Sequence, residues 1–277
     1  INGNFTDGIR ADHPFYYSSE VNTIYFDPDQ EYRPPVRADG SGRFPNMQYD
    51  DALANGYQES GTSYDLNDNY RRPGWKIEAG GFYWEFDDTV DDCTTDNRQD
   101  KCFTYHSVND APDHVKKNFA NWYSYYRTRR FASRAGISEA FLTLNDNIRL
   151  GWGAINHSNT LIQGVQPFDS SGSQEFREWL YNDVDASGGT PLRKALDDVG
   201  DYYTRTDDKG PWSDTPGQAG GAQPECRQSF SILMTDGVWN GRSPGVGNQD
   251  DDSGEEIDND GEGNDFQYTP EDPFSDG

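Results

Sequence analysis

Two short runs carry the residues best suited to chemistry. In "GGTPL", residues 188–192, Thr190 sets a hydroxyl directly ahead of Pro191 and an apolar helical pattern. In "MTDG", residues 234–237, Asp236 sets a carboxylate at the end of the apolar run Ile232, Leu233, Met234. A hydroxyl and a carboxylate on separate loops are the ligands that a hard divalent cation, Ca²⁺ or Mg²⁺, takes. A second supply of oxygens is the tail "NQDDDSGEEIDNDGEGNDFQ", with Asp250, Asp252, Asp258 and Asp260. An EF-hand register with Gly261 in sixth place puts Glu256 first and Gln267 last, and both depart from the pattern. The tail therefore reads either as a solvated acidic loop or as a calcium loop of another kind. Enzyme chemistry has less to work with. His13, His106, His114 and His157 show no paired metal spacing, and no G-x-S-x-G nucleophile run occurs.

These groups must be positioned by a chain whose composition narrows the options. At 277 residues, 32% hydrophobic and 14% aromatic, it can bury one large core or two modest ones. The formal net charge of −26, from 49 acidic against 23 basic side chains, argues against nucleic acid or an anionic membrane as partner. No apolar run approaches the ~18 residues of a membrane span, so no direct membrane insertion is expected. Ile1 follows no signal segment, which suggests a mature or excised piece of a longer chain. Cys93 and Cys102 bracket a polar loop without histidine, so a local disulfide and an oxidising compartment are the simplest account. Cys226 is left over, either as a buried thiol or as the partner of a cysteine outside the chain.

The positioning elements follow from periodicity. Residues 1–111 are rich in Tyr, Phe, Asp, Pro and Gly, a texture of loops and short strands with a hairpin at Gly80-Gly81. From Pro112 a long helix is expected, with Phe119, Trp122, Tyr123, Tyr126, Arg130 and Phe131 at near-helical spacing. Arg127, Arg129, Arg130 and Arg134 would form a salt-bridged face on it. Strands follow at 148–156 and 160–168, then a helix with Ser173 as N-cap. A second helix starts at Pro191 and sets Leu192, Ala195, Leu196, Val199 and Tyr203 on one face. A Gly- and Pro-rich loop then leads into a strand, "SFSILM". Helix, strand, strand, helix, helix, strand is the rhythm of an open α/β sheet, whose ligands bind at the carboxyl ends of strands, where Asp236 stands.

The segments "NFANWYSYYRTRRFASRAGISEAF", "GGTPLRKALDDVGDYY" and "CRQSFSILMTDGVWNG", in that order, resemble the von Willebrand factor A domain region of PilY1-like type IV pilus tip and biogenesis proteins. "NTIYFDPDQEYRPPVRADGSGRFPN" is similar to that family's N-x-x-Y-Y-x-P-x-x-x-Y-x-P segment. The resemblance covers most of residues 20–240. It implies a Rossmann-like, doubly wound α/β sheet carrying a large Tyr/Pro/Gly-rich insertion of loops and short strands. It also implies a metal-ion-dependent adhesion site, with Thr190 as second-loop ligand and Asp236 as third.

The first loop of such a site is Asp-x-Ser-x-Ser. "DSSGS", Asp169 to Ser173, has that form, but only 16 residues, 174 to 189, separate it from Thr190. A helix, two strands and another helix should intervene, about 40 residues or more with their loops. Either "DSSGS" is a loop and helix cap and the first strand precedes Ile1, or it is the metal loop itself. The expected organisation is an aromatic-rich insertion at 1–111, a von Willebrand A-like core at 112–240 lacking its first strand, and an acidic segment at 241–277. The expected function is a non-enzymatic pilus-tip adhesin or pilus biogenesis factor, exported through the periplasm to the bacterial surface. Its expected partners are minor pilins or the tip complex and a host or abiotic surface ligand, with a divalent cation bridging. A filament subunit packing through the aromatic-rich segment is the alternative.

Overall fold

The computed structural model describes residues 13–71, 77–93, 99–144, 147–157, 160–184, 188–223, 227–235 and 237–245, and in the tail 257–258, 265–267 and 269. Cys226, Asp236, Asp250, Asp252 and Asp260 lie outside these residues. The elements are β1 (Ala52–Leu53), β2 (Ser63–Tyr64), β3 (Tyr70–Arg71), β4 (Ile77–Glu78), β5 (Phe82–Phe86), β6 (Phe103–Ser107), α1 (Asp113–Tyr125) and α2 (Arg129–Ala140). They continue with β7 (Arg149–Gly153), β8 (Leu161–Pro167), α3 (Ser170–Glu178), α4 (Leu192–Tyr203), β9 (Ile257–Asp258) and β10 (Asp265–Phe266). Pairing joins β1 to β2, β3 to β4, β5 to β6, β7 to β8 and β9 to β10, so the described residues form a mixed α/β chain of two-stranded sheets. Two compact units divide it: Ile1–Leu150 with Gln166–Ala186, and Gly151–Val165 with Ser187–Gly277.

In the first unit, ladders of two to five residues cannot bury the aromatic side chains they carry, and helix α1 supplies the missing surface. Pro112 at its N-cap position and Asp113 in its first turn suit a helix start. All seven residues from Phe119 to Tyr125 are buried. Trp122 lies edge-on to Tyr25 at 5.0 Å, and Phe119 to Phe26 at the same distance, with Tyr70 and Phe82 in the same core. The polar residues of α1 bond the backbone that wraps them. Trp122 Nε1 donates to Ile24 O, Ser124 Oγ to Leu53 O and Tyr125 OH to Pro45 O, while Asn121 Oδ1 accepts from Met47 N. The boundary expected at 111/112 thus runs through one core, because rings from both sides of it pack together.

The single long helix expected after Pro112 is two helices. Both Tyr126 N and Arg127 N donate to Trp122 O, which ends α1, and Thr128 Oγ1 accepts from Phe131 N at 3.1 Å, which caps α2. Gly80-Gly81 does not turn a hairpin but links two separate ladders. A Cβ on Gly81 would stand 2.7 Å from the Phe119 ring and 2.8 Å from the Tyr49 hydroxyl, so close packing accounts for the glycine. Helix α3 is capped four residues before the expected Ser173, because the Asp169 carboxylate accepts from Gly172 N at 3.0 Å and serves as N-cap. Phe168 and Phe176 pack around Phe141. Cys93 and Cys102 form the expected disulfide, both fully buried, with Phe103, Phe15 and Phe86 against them.

Two of the four arginines expected on a salt-bridged face, Arg127 and Arg134, are held differently. Arg127 lies 4.1 Å over the Tyr123 ring and donates to Ala54 O at 2.7 Å, and Arg134 donates to Val184 O at 3.2 Å. Neither pairs with a described carboxylate. Carbonyls and ring faces do the solvating, and burial pushes both guanidinium groups below their usual range.

The second unit is built on the β7/β8 hairpin and α4. Tyr202 OH accepts from Val165 N at 2.8 Å, and the Thr160 hydroxyl donates to Asp198. Those contacts select Ala195 and Tyr202 as the buried face of α4, and Leu196, expected inside, is 53% exposed. The run 227–235 carries no ladder among the described residues. Phe230, Ile232 and Met234 are exposed by 76%, 82% and 58%. An interior strand takes its burial and hydrogen bonds from neighbours on both sides, and no described strand flanks this one.

Candidate functional site

The loop of Thr190 meets the segment around Asn240 in the second unit. The chain turns at Gly188, where φ is +86° and an added Cβ would stand 2.2 Å from Asn156 Nδ2. It then reaches Thr190, which faces Asn240. Thr190 N donates to Asn240 Oδ1 at 3.1 Å, and Asn240 N donates to Thr190 O at 2.9 Å. Arg193 on the first turn of α4 donates to Gly241 O at 3.0 Å. The "GGTPL" loop is therefore clasped to the segment four residues beyond Asp236.

Thr190 is half-buried, and its hydroxyl bonds no described group. It does not cap α4, whose N-cap position is held by Pro191 without a side-chain bond. A threonine ahead of a helix usually spends its oxygen on the free N–H groups there. This one keeps it, as a cation ligand must, so the donor type fits a hard cation. The described carboxylate on α4 that is held ionised, Asp198, is already committed. Its hydrogen bonds from Lys194 and Thr160 keep it below the usual carboxylate range.

The other expected ligands are not gathered here. Asp236, Asp250, Asp252 and Asp260 lie outside the described residues. Asp258 is in β9, whose backbone pairs antiparallel with β10 so that Asp258 stands opposite Asp265. In "DSSGS", Asp169 caps α3 and Ser173 Oγ donates to Ser170 O at 3.1 Å, so the run is occupied as a helix start. Among the described residues, no group of three or more His, Cys, Asp or Glu side chains is placed to hold a metal. His13 pairs with Asp100, and His106 with Glu85 while stacking on Tyr83. Sequence reasoning passed over Asn240, although the Asn-Gly pair it forms with Gly241 is a turn signal. No described helix is long and apolar enough to cross a membrane.

These features define a mixed α/β chain with a local disulfide and a threonine-bearing loop junction at the start of a helix. Over most of its length it is similar to proteins named Type IV pilus biogenesis factor PilY1 from three strains of Pseudomonas aeruginosa. The identity is 31% over 268 residues with one, covering 87% of this chain and 22% of the relative. It is 30% over 266 residues with a second, covering 85% and 22%, and 31% over 294 residues with a third, covering 94% and 23%. The chain thus spans less than a quarter of the length of the curated relatives it matches. No family model matches the chain, and no solved structure does.

Proposed function

We propose that the chain is a segment of a type IV pilus biogenesis factor that works at the pilus tip as a non-enzymatic adhesion and assembly module on the bacterial surface. The observation that carries this reading is the similarity to pilus biogenesis factors along 85% or more of the chain. Its partners in this reading are minor pilins or the tip complex on one side and a host or abiotic surface on the other. Deleting the coding segment for these residues from the bacterium, with the rest of the protein kept, should abolish surface pili or pilus-dependent attachment. Normal piliation and normal attachment together would sink the proposal.

The adhesion is cation-assisted in this reading, with Thr190 and Asp236 as ligands and Ca²⁺ or Mg²⁺ as the cation. Support comes from the Thr190 hydroxyl, which bonds no described group, and from the clasp between Thr190 and Asn240, four residues beyond Asp236 in sequence. The fold we propose is the von Willebrand A sheet, with residues 227–235 as a strand whose neighbours lie outside the described residues. The six exposed apolar side chains between Phe230 and Trp239 support it. Calorimetric titration of Ca²⁺, then Mg²⁺, into the chain and into a version lengthened at its N-terminus tests both. Binding lost in Asp236→Ala supports the adhesion site. Binding lost only when Asp258 and Asp260 are changed assigns the cation to the tail instead. The alternative of a filament subunit packing through the aromatic-rich segment has less support, since those aromatics fill the first unit's own core.

A further inference from the structure

A cleft of about 260 Å³ in the first unit is lined by Asn55, Gln58, Arg130, Arg134, Tyr181 and Asn182, with Asp183 and Val184 at its edge. Arg134 is 5% exposed, and its guanidinium makes one hydrogen bond, to Val184 O, leaving Nε without a partner. Arg130 shares the cleft, is exposed, and like Arg134 pairs with no described carboxylate. Asp183 stands beside them without forming an ion pair. Buried charges are ordinarily paired, because an unpaired one loses its hydration for nothing. Among the described residues no carboxylate neutralises the buried Arg134, and Arg130 sets a second, exposed cation beside it.

The other lining groups suggest what would. Gln58 and Asn182 spend their side-chain amides on no described group, and Asn55 uses its carbonyl oxygen to accept from Tyr57 N, leaving its NH₂ free. Tyr181 OH is already bonded to Val36 O and Ser138 Oγ, so it contributes ring surface. Two guanidinium forks suit a carboxylate, and amides around them suit hydroxyls. The volume falls below the usual range for drug-sized ligands, ~300–1,000 Å³. We propose that this cleft binds a single carboxylated sugar residue, of the uronic or sialic acid type, with Arg134 and Arg130 on the carboxylate and Asn55, Gln58 and Asn182 on the hydroxyls. An acidic peptide is the poorer fit, since it would bring backbone groups in need of partners and the lining offers no strand edge. The assignment rests neither on the pilus reading nor on a cation.

The test is calorimetric titration of the whole chain, in chelator, with glucuronate, N-acetylneuraminate, glucose and acetate. One or both acidic sugars should bind, at least tenfold more tightly than glucose or acetate. Arg130→Gln, an exposed change that leaves the fold intact, should weaken that binding about tenfold, the scale of one charge-assisted hydrogen bond. Asn182→Ala should weaken it less. Arg134→Lys, which keeps a buried cation and loses the fork, should weaken it with the unfolding midpoint checked alongside. Equal binding of glucose, equal binding of acetate, indifference to Arg130→Gln, or no binding of either acidic sugar would each overturn the assignment.

Discussion

Around helix α1 the first unit closes a core of tyrosine, phenylalanine and tryptophan, and the polar residues of that helix hold the surrounding backbone by hydrogen bonds. In the second unit, Phe230, Ile232, Leu233, Met234, Val238 and Trp239 are exposed along one short run. The first pattern is that of a structure complete in its contacts. The second leaves apolar side chains without described neighbours, the state either of a strand whose neighbours lie elsewhere or of a contact surface. The contrast teaches that the aromatic core of the first unit and the exposed apolar run of the second depend on different stretches of chain, and each can be attacked separately.

The largest effect should come from alkali. Burial pushes Tyr32 and Tyr126 up to about 12, and pushes Tyr49, Tyr57, Tyr70 and Tyr125 higher still. A group whose folded pKa is raised contributes stability that is fully present below its unfolded value, about 10 for tyrosine, and is lost as pH rises through the folded value. In that window each such tyrosine removes about 1.4 kcal/mol per pH unit. Several together exceed the roughly 5–15 kcal/mol that holds an ordinary domain. The first unit should therefore unfold cooperatively between about pH 10 and 12, phenolate absorbance rising together with loss of circular dichroism. Gradual ionisation near pH 10 without unfolding would show that the tyrosines are solvated and the comparison misdrawn.

Next in size is Trp122→Ala. The side chain is fully buried and its indole nitrogen bonds Ile24 O, so truncation should cost about 3–5 kcal/mol in denaturant unfolding. A cost below about 1 kcal/mol would mean that α1 does not organise the core. Replacing Cys93 and Cys102 by serine should cost less, about 2–3 kcal/mol, as expected for so short a closed loop. An unchanged midpoint would place the disulfide outside the cooperative unit.

What was legible in the sequence divides along the same line. The disulfide, both strands of the β7/β8 hairpin and the start of α4 could be read, since each depends on neighbours close in sequence. The break at Tyr126–Thr128 was missed because aromatic periodicity runs through it, while the deciding bond is a threonine oxygen capping three residues on. Leu196 was placed inside on helical spacing alone, but Tyr202 meets Val165 only after the hairpin has folded. At the candidate site, Thr190 could be singled out by its place before a helix. Asn240 could not, since its bond to Thr190 spans 50 residues and leaves no local pattern.

The smallest expected effect is the most discriminating. With Ile232 82% exposed and Phe230 76%, the double change Phe230→Ser and Ile232→Ser should alter unfolding of this chain by less than about 0.5 kcal/mol. Buried residues of that size would cost about 2–5 kcal/mol each. A large loss here would mean that the run is already packed, and the second unit would then resemble the first. A negligible loss, joined to a marked loss in a lengthened chain, would show that the run is a strand awaiting its neighbours. Negligible loss in both, with impaired pilus function, would instead make the exposed side chains a contact surface in their own right.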